Sequence, residues 1–336
     1  MDARQKTPYF EWLRVFAAAA VVLMHTEGSL WPALGVQTRE FALLTAFDSL
    51  VRWPVPVFVM ITGALFLPRK TELKTVLSRY IPRMAAAFLF WSAVYALRAG
   101  REGFVLRFVT GHYHLWYLPF VCGLYLTLPF LQKIAADRPL TRQLFRVSLV
   151  IGAAVPWLAD LAALCFPRWG GVLASLKNSL HYTFFFDLLA VVLLGHLLHT
   201  ADLSRNQQRL LCAAGICAAV LTFPLTLWAS TRAGTPNALF CQITAPTTLC
   251  AAAGLFVFAK YHLTRLPKLV GWMADRSFGV YLCHVLVLEL LAQRGIDALS
   301  ASPVWMVPLL AAAVFVLSLV LTELLRRVPV VGKWLV

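Results

Sequence analysis

Residues 9–25 read Tyr9-Phe10-Glu11-Trp12-Leu13-Arg14-Val15-Phe16-Ala17-Ala18-Ala19-Ala20-Val21-Val22-Leu23-Met24-His25. The run holds no proline or glycine, and most of it is apolar. Extended to residue 29 it reaches the ~20 residues that a helix needs to cross a bilayer. Three ionisable side chains interrupt it: Glu11 and Arg14 near the start and His25 near the end. In hydrocarbon each is costly unless paired or hydrated, so each is a candidate for function. At about 100° per residue, the step from Arg14 to His25 closes within about 20° of whole turns and rises about 16 Å. The two side chains therefore share one face, with Glu11 on nearly the same stripe. Ala17, Ala18 and Val21 leave a groove between them. An anionic group held by Arg14, with an extended ligand reaching towards His25, fits this spacing. A snorkelling arginine and an interfacial histidine fit it too.

The rest of the chain is of the same kind. Of 336 residues, 60% are hydrophobic and 13% charged, against about 25% charged in an ordinary soluble domain. Such a surface disfavours soluble globular, disordered and coiled-coil proteins. A polytopic all-α membrane protein remains, because the apolar runs are long and unbroken rather than alternating. The 7 cysteines are scattered through apolar stretches without a C-x-x-C pair, which argues against a disulfide framework or a zinc site. Arg4 and Lys6 precede the first apolar run as in a signal peptide. Glu11 and Arg14 interrupt that run, however, and no small-x-small site follows it, so a retained first helix is expected.

Ten candidate spans fall near 9–29, 44–67, 80–98, 115–134, 145–166, 179–199, 209–229, 238–259, 273–293 and 303–325. They leave short connections, and residues 1–336 read as a single membrane domain. The net charge of +15 suggests either nucleic acid or topology. Eight cations (Arg39, Arg98, Arg101, Arg107, Arg168, Lys177, Arg232, Arg294) fall on one side, and Arg14 and Arg52 lie inside spans. The other 20 of the 30 share the side of both termini. By the positive-inside rule that side is cytoplasmic, and a nucleic-acid partner loses its main support.

Other polar residues sit where the bilayer disfavours them. Arg79 and Arg83 enter the third span one turn apart and, with Lys74, are candidates for phosphates or lipid headgroups. Asp187 stands in a very apolar stretch at a depth similar to that of His25. His284 and Glu289 lie on the ninth span, and Asp187 or Glu289 is a candidate to orient His25. His112, His114, Trp116 and Tyr117 meet the far face of the fourth span, as an interfacial belt or as an aromatic platform for a sugar. Pro54 and Pro56 are placed to break the second span, and Gly63 reads as a close helix contact.

At these residues the chain resembles membrane-bound acyltransferase family 3. Glu11-Trp12-Leu13-Arg14 followed by His25 is similar to the family's first-helix motif, with glutamate in place of the usual aspartate. Pro54-Val55-Pro56-Val57-Phe58 through Gly63 resembles its second span. His114-Leu115-Trp116-Tyr117-Leu118, Gly123-Leu124-Tyr125 and Pro129 resemble its fourth, and Ser277-Phe278-Gly279-Val280-Tyr281 through His284 its ninth. The third span departs from the family, with Arg79-x-x-x-Arg83 for its R-x-x-R and Ala87 at its proline. The compact length is similar to members that O-acetylate surface polysaccharides, such as the enterobacterial common antigen type.

The resemblance implies an O-acetyltransferase of a bacterial inner membrane, moving an acetyl group from cytoplasmic acetyl-CoA to a sugar hydroxyl of a surface glycan or its lipid-linked precursor. No metal is implied. Arg14, Arg83, Arg79 and Glu11 would serve the cofactor end, and His25 would be the base, with Asp187 or Glu289 behind it. His114, Trp116, Tyr117 and His284 would line the acceptor side. A polysaccharide or metabolite exporter remains the alternative, since ten helices with buried Arg, His, Asp and Glu also describe one, though repeated halves are not seen.

Overall fold

The computed structural model describes residues 7–28, 30–180 and 188–336; Asp187 lies outside them. The described residues form helices and connecting turns with no strand. Pro8–Gly28 (α1) is one uninterrupted helix. The second apolar segment breaks into Arg39–Leu50 (α2) and Pro54–Phe66 (α3). Thr38 caps α2 by accepting from the Phe41 N–H, and Pro54 takes the first helical position of α3, where its missing N–H costs nothing.

Ile81–Arg98 (α4) follows a π-helical turn over Val76–Tyr80. Phe104–Thr110 (α5) and Tyr117–Ala135 (α6) come next. Arg138–Ser148 (α7) continues through a second π turn into Val155–Cys165 (α8). Pro167–Leu180 (α9), Leu189–Thr200 (α10), Arg205–Ala233 (α11) and Pro246–His262 (α12) follow. Lys268–Ala274 (α13), Ser277–Ala292 (α14), Pro303–Arg326 (α15) and Pro329–Trp334 (α16) complete the order.

Among the described residues, 8 helical segments are long and apolar enough to cross a membrane, from 8–33 to 303–326. This is fewer than the ten spans expected: where the sixth and ninth are expected, the described residues carry only the shorter apolar helices α10 and α14. Large apolar side chains such as Leu106, Phe130, Leu210, Trp305 and Leu309 point outwards. In lipid, such a surface is solvated rather than exposed. The chain is a multi-pass membrane protein.

Helix α1 is the hub, packed against α2, α3, α12, α13, α14 and α15. Helices α3 and α10 approach through small residues. A Cβ on Gly63 would run into the Val192 carbonyl, and one on Gly195 into the Met60 carbonyl, so the close contact expected at Gly63 is present and reciprocal.

Side chains then fasten the two ends. At the Arg14 end, Trp12 Nε1 donates to the Arg265 carbonyl (3.0 Å), and Tyr9 Oη pairs with His199 Nδ1 (2.6 Å). Lys260 Nζ donates to the carbonyls of Leu198, His199 and Ala201 at 2.9, 2.8 and 2.6 Å, capping the C-terminal end of α10 with a cation. The other end gathers the close of α1, the α2–α3 break, the turn Tyr113–Trp116 and the second half of α14.

Candidate active site

One cavity of about 560 Å³ runs through the bundle beside α1. Arg14, Arg83 and Asp275 line one end; His25, Arg52, His114 and Trp116 line the other. Between them the wall is largely apolar, with Val21, Ile61, Leu65, Met84 and Val121. The helical stripe read from residues 9–25 is thus one wall of a continuous compartment.

At the first end, Arg14 Nη1 donates to both Glu11 oxygens (3.0 and 3.1 Å), and Glu11 itself is buried. The carboxylate fixes the arginine by one nitrogen and leaves its other donors to the cavity. Arg83 stands 5.5 Å over the Phe278 ring and donates Nη2 to the main-chain oxygen of Val336 (3.2 Å). Arg79 does not join them. It is exposed and outside the lining, on the π turn Val76–Tyr80 that leads into α4.

At the second end, histidine rings crowd together. His25 lies with its ring centroid 5.2 Å from that of His284, 5.3 Å from Tyr113 and 6.4 Å from His114. Among the described residues, none offers His25 a hydrogen bond, so both its nitrogens are left for a ligand. His284 is fully buried, and its Nδ1 lies 2.8 Å from the Tyr281 carbonyl and 3.1 Å from that of Val280. Two carbonyl acceptors require the proton on Nδ1. Nε2 therefore carries a lone pair, and it has no partner among the described residues.

Glu289 does not touch His25. Its Oε2 accepts from Arg98 Nε (2.7 Å) and its Oε1 pairs with His112 Nε2 (3.1 Å). His112 Nδ1 is 3.0 Å from His114 Nδ1, and the His112 ring stacks on Tyr95 at 4.5 Å. A chain of Arg98, Glu289, His112 and His114 thus ends beside His25 and His284. Tyr281 Oη donates to the His114 carbonyl and fastens the turn to α14. Tyr117 packs between Phe58 and Tyr281, and Trp116 lines the cavity mouth while 41% exposed.

The sequence reading assigned no role to a second buried cluster here. Arg52 lines the cavity and donates Nε to Asp48 Oδ2 at 2.7 Å, with a second bond from Nη2 to the same oxygen. Asp48 is fully buried, and so is Glu27, which faces it and whose oxygens have no donor among the described residues. The i,i+4 spacing of Asp48 and Arg52 and the position of Glu27 two residues after His25 were the available signals.

Among the described residues, no three His, Cys, Asp or Glu side chains group so as to hold a metal ion. One cavity thus joins an end lined by two arginines to an end lined by histidines. Residues 7–323 match the family model described as "Acyltransferase domain", nearly the whole chain. The protein belongs to that family, membrane-bound acyltransferase family 3, and is an acyltransferase. No curated protein and no solved structure matched it.

Proposed function

We propose that the protein is an O-acetyltransferase that takes acetyl groups from acetyl-CoA at the Arg14 end and delivers them to a sugar hydroxyl at the His25 end. The observation that carries this reading is the single cavity with Arg14 and Arg83 at one end and His25 at the other. Two guanidinium groups suit the phosphates of a CoA thioester. The apolar middle suits its pantetheine arm, and Trp116 and Tyr117 suit the face of a sugar. The cation bias of the loops supports an Arg14 end that faces the cytoplasm, and hence a donor from that side. The acceptor is a surface polysaccharide or its lipid-linked precursor, and the membrane is the bacterial inner membrane.

In this reading neutral His25 removes the proton from the acceptor hydroxyl as its oxygen attacks the thioester carbonyl. The C–O bond forms, the C–S bond breaks, and the imidazolium returns its proton to the departing CoA sulfur. His284 and His114 hold the ring of His25 in place, and the Glu289 chain anchors His114. Direct transfer is preferred to an acyl-histidine because it needs no further step.

Labelled acetyl-CoA turned over by the purified protein tests the reading. Release of CoA with an acetylated glycan supports it. An exporter or a scaffold releases no CoA.

A further inference from the structure

A second cavity, of about 700 Å³, opens at the Arg14 end of the bundle and shares no lining residue with the first. It lies where the C-terminal ends of α3, α6 and α10 meet the start of α7. Arg69, Lys70, Lys133 and Arg138 surround it, against one carboxylate, Glu72. Among the described residues none of these four side chains has an ion pair or a hydrogen bond. The rim is braced: Gln132 Nε2 donates to the Phe66 carbonyl (2.8 Å) and to Thr71 Oγ1 (3.0 Å), and the Thr71 N–H donates to Gln132 Oε1 (3.0 Å). His196, in the same wall, is only 7% exposed, and its Nδ1 has no partner among the described residues.

Cations near helix C-termini offset the helix dipoles, and loop cations set topology. Neither role needs a braced cavity between the cations or a buried, unbonded imidazole in its wall. Four cations around one such cavity repel one another unless an anion sits among them. We propose that this second cavity binds a phosphate ester, distinct from any bound at Arg14 and Arg83. Several separate cations suit the spread oxygens of a phosphate or diphosphate. The source is either the headgroup of an anionic phospholipid or the nucleotide end of coenzyme A. The nucleotide source rests on the acetyl-CoA reading above, whereas the lipid source does not.

Inorganic pyrophosphate, titrated calorimetrically into the detergent-purified full chain, is the probe. Wild type is expected to bind it, and the triple variant Lys70→Gln, Lys133→Gln, Arg138→Gln to bind about tenfold more weakly or worse. These side chains are exposed, so the variant is expected to fold. The control Arg205→Gln with Arg209→Gln, exposed at the start of α11, is expected to bind as wild type. Arg14→Gln with Arg83→Gln is also expected to leave this binding in place, which separates it from the acetyl-CoA reading. The proposal is overturned if wild type does not bind, if the triple variant binds like wild type, or if the α11 control loses as much. In reconstituted protein, phosphatidylglycerol vesicles that abolish binding where phosphatidylcholine vesicles do not assign the lipid. Displacement by adenosine 3′,5′-bisphosphate in both assigns the nucleotide. Pyrophosphate displaced by neither also overturns the proposal.

Discussion

The rings of His25 and His284 lie 5.2 Å apart, one on the cavity wall and the other fully buried behind it. His284 is fastened through Nδ1 to two carbonyls of its own helix, so α14 presents a fixed imidazole edge to α1. In this reading His284 positions His25 and does not meet the acceptor.

That role separates two substitutions. His284→Asn keeps an amide donor near the Nδ1 position, and His284→Ala removes both the donor and the packing. The alanine variant is expected to lower kcat about tenfold or more while KM for acetyl-CoA stays within about twofold, since one lost oriented contact is worth ~1.4 kcal/mol. The asparagine variant is expected to recover part of the rate. A KM increase with kcat unchanged speaks against positioning.

Glu289 acts two residues removed from His25. In Glu289→Gln the charge that pairs with Arg98 and His112 is lost, and a charge-assisted bond is worth about 1.5–3 kcal/mol. Lower kcat, lower thermal stability and unchanged acetyl-CoA affinity are expected. Steady-state kinetics with a melting curve on the same preparation checks all three.

The two span-three arginines are expected to differ. Arg83→Gln should raise KM for acetyl-CoA about tenfold, whereas Arg79→Gln, exposed and outside the lining, should change it by less than about twofold. Equal effects contradict the cavity as the donor site.

Gly63→Ala forces a methyl group against the Val192 carbonyl. Overpacking of this kind costs about 1–3 kcal/mol, and here the obstacle is backbone rather than a movable side chain. A lower melting temperature and poorer yield in detergent are expected, and a wild-type melting curve speaks against the tight α3–α10 contact.

The sequence alone revealed much of this because it lies on one helix. Period and spacing put Glu11, Arg14 and His25 on one stripe, and Gly63 and the Pro54 break read correctly because small residues and prolines act locally. The Arg98, Glu289, His112 and His114 chain was hidden, since it joins α4, α14 and the 113–116 turn and nothing in one sequence says which helices are neighbours. Asp48 and Arg52 show their i,i+4 pairing, but the depth at which they are buried depends on α1 and α2 packing together. Arg79 and Arg83 show the limit of spacing: they stand four residues apart, yet Arg83 lines the cavity and Arg79 is exposed outside it, because spacing does not say where a cavity lies.

The base assigned to His25 is the centre of the account. His25→Ala in purified, folded protein, supplied with labelled acetyl-CoA and the glycan acceptor, is the most direct measurement. Loss of product by about 10²–10⁴-fold, with acetyl-CoA binding retained, is the predicted result. Acetylated glycan formed at the wild-type rate would contradict it.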